Sequence, residues 1–287
     1  MKIKVEDLKF AYGMRKVLNG VTASFDEGKI YGIVGKNGAG KTTFFKALTN
    51  IITNYSGTVS YNDENVLKNS SVLTKTGILL DDIELYKSYT GWFNLRYFGG
   101  LRGNFDEDLA RKLADELDLL ASLDLKVSAY SLGMGKKLLL LISLMNEAEV
   151  LIFDEPLRGI DAKSVLWFRQ YLLNLKQTGK TILISSHVQE DIEALCDEVF
   201  VLADGTFTEA FDLTDTRQML RYKVVVSDPS VLTEVLKNEG HAYEQREESI
   251  IFEATPEQFQ TIFQACVSRD LMFEEIKKES KFAEFVK

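Results

Sequence analysis

The sequence predicts an α/β fold built on a parallel β-sheet with helices on its faces. Apolar runs typical of buried strands occur at 30–34, 150–153, 181–185 and 198–205, and we expect a helix after each of them. Strands that alternate with helices in this way indicate a parallel sheet. A glycine-rich stretch joins the first run to its helix, as in the βα unit of a phosphate-binding fold.

The N-terminal region predicts an antiparallel β subdomain that precedes the first parallel strand. Residues 3–10 and 17–25 alternate between apolar and polar side chains, and DEGK at 26–29 is the expected turn. The apolar run at 30–34 then leads through the glycine-rich stretch into TTFFKALTN at 42–50, which has helical character.

Two further strands and a helical subdomain are predicted next. GTVSYND at 57–63 favours a strand and a turn, and TGILL at 76–80 favours a buried strand. From about 87 to 147 the pattern is helical, with leucines near a 3.6-residue period after 104 and Asn104 as the expected N-cap. We expect this region to form a subdomain attached to the parallel sheet.

The last quarter of the chain has a different character and predicts a small C-terminal α+β appendix. Its segments 222–228, 230–240, 249–254 and 256–271 indicate a strand, a helix, a strand and a helix. These segments contain no glycine-rich loop and no cluster of catalytic-type side chains. We therefore interpret 216–287 as a solvated accessory domain.

Composition narrows the functional classes. A formal net charge of −9 argues against a general nucleic-acid or anionic-membrane surface. The two cysteines, Cys196 and Cys266, have neither metal-type nor disulfide-framework spacing, which favours a reducing, cytoplasmic setting. No run approaches the roughly 18 apolar residues that a membrane span needs. We therefore expect any work at a membrane to depend on a partner.

The stretch GKNGAGKT at 35–42 fits the pattern G-x-x-x-x-G-K-[ST] and lies between a predicted strand and a predicted helix. Gly38 and Gly40 let the backbone turn its N–H groups toward phosphate oxygens, and the helix N-terminus adds positive potential. Lys41 is expected to reach the β- and γ-phosphates, and the Thr42 hydroxyl to bind Mg²⁺. The predicted nucleotide-binding residues are Gly35, Asn37, Gly38, Ala39, Gly40, Lys41, Thr42 and Thr43.

Polar side chains follow two of the other predicted parallel strands. VLIFDEP at 150–156 ends in Asp154 and Glu155, and His187 follows TILISS. The carboxyl ends of parallel strands share one edge of the sheet, where ligands bind. Asp154 is expected to hold Mg²⁺ through water, Glu155 to polarise an attacking water, and His187 to contact the γ-phosphate.

Five motifs in a fixed order carry a resemblance to a known family: GKNGAGKT, YSLGM at 130–134, VLIFDEP, GID at 159–161 and SSH at 185–187. This order resembles the nucleotide-binding subunit of an ATP-binding cassette (ABC) transporter over about residues 1–205. The resemblance implies a P-loop ATPase core within an ABC ATPase domain at 1–215. It also implies ATP and Mg²⁺ as ligands, with Glu155 and His187 as catalytic residues.

The family signature is usually L-S-G-G-Q, and here it is YSLGM. The stretch keeps Ser131 and the second glycine, Gly133, whereas Leu132 and Met134 differ from the commonest form. In this family the signature contacts the γ-phosphate on the P-loop of the opposite protomer. The resemblance therefore implies nucleotide contacts from Ser131, Gly133 and Met134, across a homodimer or a heterodimer of ATPase subunits.

For three more positions the resemblance implies a role, and each position also has an alternative interpretation. Asp81 occupies the position of a glutamine that meets Mg²⁺, or else it belongs to a solvated turn. Tyr12 occupies the position of the ring that stacks on adenine, with Phe10 as a competing core aromatic. Asp161 would cross the dimer interface, or else it caps the helix that follows.

The leading hypothesis is an ATPase subunit that powers a separate transmembrane permease from the cytoplasmic face of the membrane. YSLGM is similar to the signatures of bacterial exporters of drugs, antimicrobial peptides and lantibiotics, which favours export. A second hypothesis is a soluble ABC ATPase that acts on the ribosome or on DNA; the acidity of the chain argues against it, and nucleic acid is not an expected partner. A third is a regulatory nucleotide-binding module with low turnover.

Overall fold

The computed structural model describes residues 1–103, 105–145, 148–214, 219–246 and 249–279. Contacts within the chain divide it into two units, of which the first takes in residues 1–211 and the second begins at Asp212. The boundary predicted between 215 and 216 lies outside the described residues. Each unit contains a hydrophobic core of its own.

The elements of the first unit follow in chain order. They are β1 (Ile3–Tyr12), β2 (Arg15–Phe25), β3 (Ile30–Val34), α1 (Lys41–Leu48), β4 (Ser56–Tyr61), β5 (Glu64–Asn65), β6 (Thr76–Leu79), α2 (Gly91–Gly100), α3 (Glu107–Glu116), α4 (Leu132–Leu144), β7 (Val150–Asp154), α5 (Ala162–Gln177), β8 (Thr181–Ser185), α6 (Gln189–Leu195), β9 (Glu198–Ala203) and β10 (Thr206–Asp212).

The predicted parallel sheet is confirmed, with the strand order β10-β9-β3-β8-β7-β6. The strands from β9 to β6 pair in parallel. Every residue of β3, β7 and β8 is buried, as expected for strands covered on both faces. Because β3, β8 and β7 are neighbours, their carboxyl ends lie side by side at one edge.

A second sheet, in the order β2-β1-β4-β5, forms the predicted antiparallel subdomain. Helix α1 contributes Phe44 and Phe45 to a core shared with this sheet and with the parallel sheet. The DEGK turn does not close the β1–β2 hairpin, which turns at Gly13 and Met14 instead. It connects β2 to β3, and so joins the two sheets.

The central region contains α2, α3 and α4, as the helical pattern predicts. The expected N-cap Asn104 lies outside the described residues; the Asp106 carboxylate caps α3 by accepting a 2.9 Å hydrogen bond from Leu109 N. Helix α4 packs closely on β6, since a Cβ added to Gly77 would lie 2.1 Å from Ser143 O. Within the described ranges, none of the helices has the length and hydrophobicity to cross a bilayer.

One expectation for the end of the first unit is wrong. A helix was expected after residues 198–205, and the structure has strand β10 there, next to β9. The turn at Asp204 and Gly205, both at positive φ, reverses the chain tightly enough for a hairpin-like connection.

The second unit has the element order strand, helix, strand, strand, helix, strand. Its elements are β11 (Leu220–Val226), α7 (Pro229–Asn238), β12 (Tyr243–Arg246), β13 (Ser249–Ala254), α8 (Pro256–Val267) and β14 (Phe273–Glu279). The strands form an antiparallel sheet in the order β12-β13-β11-β14. The predicted strand, helix, strand and helix correspond to β11, α7, β13 and α8, and β12 and β14 are additional.

Candidate active site

The loop between β3 and α1 has a backbone geometry that suits an anion. Gly35 has to be a glycine because an added Cβ would lie 2.3 Å from Leu202 O. Gly40 is the N-cap of α1 at a φ of 108°, and no side chain caps the helix. The first N–H groups of α1 therefore have no intrahelical or capping partner, and they add to the positive end of the helix dipole.

Lys41 is held inside this loop. Its ammonium Nζ donates hydrogen bonds to Gly35 O at 2.6 Å and to Lys36 O at 3.4 Å. Burial lowers the pKa of Lys41, and the carboxylates of Glu155 and Asp154 oppose that shift. A buried cation at the start of a helix whose first amides have no partner suits a ligand of several negative charges.

Asp154 connects three elements at the edge of the parallel sheet. Its side chain is almost fully buried, and its Oδ2 accepts a hydrogen bond of 2.5 Å from the Thr42 hydroxyl. Its Oδ1 accepts a second bond of 2.5 Å from the Ser185 hydroxyl at the end of β8. A hydroxyl and a carboxylate at this spacing are hard oxygen donors of the kind that Mg²⁺ prefers.

Glu155 and His187 form a pair beside Asp154. Glu155 Oε1 lies 3.2 Å from His187 Nε2, and Glu155 Oε2 accepts a bond of 3.3 Å from His187 N. The Glu155 backbone has a φ of 49°, which is uncommon outside glycine, and Glu155 N donates to the Ser185 hydroxyl. Burial raises the pKa of Glu155; His187 and Lys41 act in the opposite direction. A carboxylate with a raised pKa is a better general base.

These groups surround a cleft of about 530 Å³. The predicted site residues that line it are Tyr12, Asn37, Gly38, Gly40, Lys41, Thr42, Thr43, Asp81, Asp154, Glu155 and His187. Arg15, Val17 and Arg158 line it too, and sequence reasoning missed them. Arg158 follows Glu155 by three residues, so its closeness to the strand end was the available signal; Arg15 lies on β2 and had none.

Two of the positions with alternatives lie at the cleft. Tyr12 is exposed at its margin and makes an edge contact with the Phe10 ring at 4.7 Å between centroids, while Phe10 is buried in the core. Asp81 also lines the cleft, and its Oδ1 lies 3.7 Å from Lys136 Nζ. The neighbouring Asp82 forms an ion pair with Lys46 instead.

The signature stretch is not part of this cleft. Ser131 is the N-cap of α4, and its hydroxyl accepts a bond of 3.2 Å from Met134 N. Leu132 is 85% exposed, and a Cβ added to Gly133 would lie 3.0 Å from Gly159 O. The stretch therefore presents a helix N-terminus and an exposed leucine beside the loop that contains Gly159.

Asp161 caps α5, which was the alternative to its role at an interface. Its carboxylate accepts bonds from Ser164 N at 2.9 Å and from the Ser164 hydroxyl at 3.0 Å. The Lys137 ammonium, at 2.6 Å, and then Ser164 hold the pKa of Asp161 well below its usual range. Lys137 belongs to α4, so Asp161 is also tied to the signature helix, and half of its side chain stays exposed.

Comparison with known proteins shows which family this chain resembles. The model of the family described as "ABC transporter" matches residues 18–158. The chain is 32% identical to the bacitracin transport ATP-binding protein BcrA of Enterococcus faecalis, over 83% of this chain and 79% of that protein. It is also 32% identical to the lantibiotic transport ATP-binding protein SrtF of Streptococcus pyogenes, over 71% of this chain and 87% of the relative. A solved structure titled "Structure of ATP binding subunit of ABC transporter" superposes with a TM-score of 0.69 at 26% identity, over 76% of this chain and 92% of its own.

Proposed function

This chain belongs to the ABC transporter family as an ATP-binding subunit that couples ATP hydrolysis to transport, and we propose that two ATPase subunits close around two Mg-ATP molecules to drive a separate permease. The observation that carries the proposal is the convergence of Lys41, Asp154 and the Glu155–His187 pair on one cleft. The proposal includes both the dimerisation of the ATPase subunits and the export of a substrate.

The cleft supports hydrolysis with Glu155 as the base. Glu155 accepts a proton from a water molecule, the water oxygen attacks the γ-phosphorus, and the bond to the bridging oxygen breaks so that ADP leaves. Lys41 and the free amides of α1 stabilise the charge on the phosphates. His187, whose Nε2 lies 3.2 Å from Glu155 Oε1, holds the base in place, and we expect it to contact the γ-phosphate.

Magnesium fits the oxygen donors present. Thr42 and Asp154 share a hydrogen bond of 2.5 Å, and Asp81 lines the same cleft. These three side chains are the proposed ligands, directly or through water. The ion would neutralise charge on the β- and γ-phosphates during transfer.

A second ATPase subunit would complete the site. Ser131, Gly133 and Met134 are absent from the lining of their own chain's cleft, yet they lie at the N-terminus of α4, and a helix N-terminus attracts anions. The proposed role of this signature stretch is to contact the γ-phosphate held by the other subunit. Asp161, tied to α4 through Lys137, would lie at the same interface.

A patch of exposed rings is the proposed docking surface for the permease. This aromatic surface consists of Tyr86, Tyr89, Phe93 and Tyr97, all of which are exposed. The Tyr89 and Phe93 rings stack with centroids 4.1 Å apart. Exposed contiguous aromatic side chains are typical of protein interfaces.

The side-chain amide of Asn94 fixes the backbone that carries this aromatic surface. The Asn94 side chain is fully buried; its Oδ1 accepts from Tyr86 N at 2.8 Å, and its Nδ2 donates to Thr90 O at 2.9 Å. The loop after β6, which carries Asp81, is thereby fixed to α2. Because Asp81 lines the cleft, movement of a docked permease would be transmitted to the cleft through this loop.

The relatives favour export of antimicrobial compounds. Two of them are named for bacitracin transport and lantibiotic transport, and another for linearmycin resistance. We extend to this chain the export of a drug-, peptide- or lipid-like substrate through a permease, with the ATPase peripheral at the cytoplasmic face of the membrane. Action on the ribosome or on DNA is the competing function, and the net charge of −9 argues against it.

The test uses Glu155→Gln, with Glu190→Gln on the exposed face of α6 as the matched control. E155Q is expected to bind ATP, to lose hydrolysis by about two orders of magnitude or more, and to form an ATP-dependent dimer in light scattering. E190Q is expected to hydrolyse ATP at the wild-type rate without a lasting ATP-dependent dimer. Wild-type turnover in E155Q would overturn the role of Glu155, and recovery of the chain on ribosomes or DNA instead of membranes would overturn the transport function.

A further inference from the structure

The C-terminal unit presents a strand with an unusual charge order at the end of its sheet. Among residues 219–246 and 249–279, β14 pairs with β11 on one side, and no other described strand lies on its far side. Its sequence is Phe-Glu-Glu-Ile-Lys-Lys-Glu, from Phe273 to Glu279. Two acids therefore precede Ile276 and two lysines follow it.

This order is complementary to itself in one antiparallel register. If Ile276 lies opposite Ile276 of a second copy, Glu274 faces Lys278 and Glu275 faces Lys277, twice each. A shift of two residues in either direction places Glu275 or Lys277 opposite its own copy, where like charges repel. The strand thus specifies one register for pairing with itself, in addition to permitting association.

Five consecutive side chains of β14, at 274–278, are exposed to solvent. Glu274, Glu275, Lys277 and Lys278 are exposed, and Ile276 is 41% exposed. Within one chain Glu275 and Lys277 already attract each other, with 2.8 Å between Oε1 and Nζ, because alternate residues share a face. A second copy would add the opposite charge directly across each of them and would cover Ile276.

We propose that two copies of this chain associate through β14, as an antiparallel strand pair that joins their two C-terminal sheets into one. A two-fold axis through Ile276 makes the contact isologous, which is how most homodimers form. This assigns the C-terminal unit a homodimerisation function, independent of nucleotide and of the proposed ATP-dependent closure. It also makes a second copy of this chain, rather than a homologue, the partner.

Charged edge strands can have the opposite purpose, because lysines on an edge often prevent association. The two explanations differ in what charge reversal does. If the charges protect the edge, the wild type is a monomer, and reversing two of the charges leaves it a monomer. If they specify pairing, an all-acidic strand and an all-basic strand each lose self-association, and a mixture of the two regains it.

The experiment is sedimentation equilibrium of the full chain without nucleotide, over a wide concentration range. Wild type is expected to show a reversible dimer. K277E/K278E and E274K/E275K are each expected to weaken self-association by about tenfold or more, and their mixture to restore it as a heterodimer seen by native mass spectrometry. Circular dichroism checks that both variants fold.

The control is K237E/R246E, which changes the net charge as K277E/K278E does, but on α7 and on the other edge strand, β12. It is expected to dimerise like wild type. A wild-type monomer at every concentration, variants that dimerise like wild type, or a mixture that stays monomeric would each overturn the proposal. Because nucleotide is absent, these outcomes leave the ATP-dependent dimer to its own test with E155Q.

Discussion

Lys136 Nζ lies 3.7 Å from Asp81 Oδ1, so an ion pair connects the signature helix α4 to the loop that follows β6. The Lys136 side chain is only 11% exposed. Burial lowers its pKa, and Asp81, Asp154 and Glu155 oppose that shift in this order. A lysine from α4 therefore faces the same carboxylates that are expected to hold Mg²⁺.

Replacing Lys136 with Met is expected to strengthen Mg²⁺ binding. The change removes a positive charge that competes with the cation for Asp81 and Asp154, so the Mg²⁺ concentration for half-maximal ATPase activity should fall on the order of three- to tenfold. Mn²⁺ binding by ATP-loaded E155Q, followed by electron paramagnetic resonance, measures the same effect without turnover.

Lys112→Met, at an exposed position of α3, is the control and should leave cation binding unchanged. Weaker Mn²⁺ binding in K136M than in the control would show that Lys136 supports the metal site instead of competing with it.

Glu155 is expected to lower the stability of the nucleotide-free protein at neutral pH. Its pKa is raised on folding, so the folded state binds the proton more tightly than the unfolded state. Its contribution to stability is therefore complete below the ordinary value of 4.5 and is lost as the pH rises through the raised value. E155Q should have a higher Tm than wild type at pH 7, and the difference should shrink toward pH 4.5.

Thermal melts across this pH range measure the effect, with E190Q as the reference for an exposed glutamate. The same shift predicts that the acid side of the kcat/KM profile, which reports the free enzyme, lies above pH 4.5, since Glu155 must lose its proton to act as the base. A Tm difference that grows as the pH falls would contradict the direction of the shift.

A comparison of substitutions at Ser131 and Thr90 distinguishes a helix-capping role from a nucleotide-contact role. Each is an N-cap whose hydroxyl accepts from the backbone three residues on, Ser131 from Met134 N at 3.2 Å and Thr90 from Phe93 N at 3.1 Å. Replacing either with Ala should cost about 1 kcal/mol of stability. In an E155Q background, only S131A is expected to reduce the ATP-driven dimer, which light scattering measures.

Equal losses of the dimer in S131A and T90A would assign the effect to stability alone. ATP affinity of each subunit should be the same in both variants, because neither hydroxyl lines the cleft.

The sequence predicts those structural features that arise from local hydrophobic patterns, and it does not predict those that arise from tertiary contacts. Buried strands and amphipathic helices carry their own hydrophobic pattern, so β3, β7, β8 and their helices are predictable. Strands β12 and β14 lie at sheet edges and are largely polar, and they have no such pattern. The β10 strand depends on pairing with β9, which local sequence does not specify.

The site shows the same division. Residues of the phosphate loop and the two strand ends are recognisable because their chemistry requires particular residue types at particular spacings. Arg15 and Lys136 approach the cleft only through the packing of β2 and α4. Their positions depend on tertiary structure, so composition and spacing give no signal for them, whereas Arg158 lies only three residues after Glu155.

The aromatic surface predicts a last effect, on the membrane partner. Replacing both Tyr89 and Phe93 with Ala removes the closest-stacked pair of this surface, whereas Asn94 and the loop it holds stay in place. Anchoring aromatic side chains often contribute 2 kcal/mol or more to an interface, so the fraction of the chain that sediments with membranes of its own organism should fall at least about tenfold.

Leu166→Ala, at an exposed position of α5, is the control and should sediment like wild type. ATP hydrolysis by purified Y89A/F93A should stay near the wild-type rate, because neither ring lines the cleft. Membrane recovery equal to that of L166A would place the permease contact elsewhere on the subunit, and a parallel loss of purified ATPase activity would show that the rings support the cleft rather than the partner.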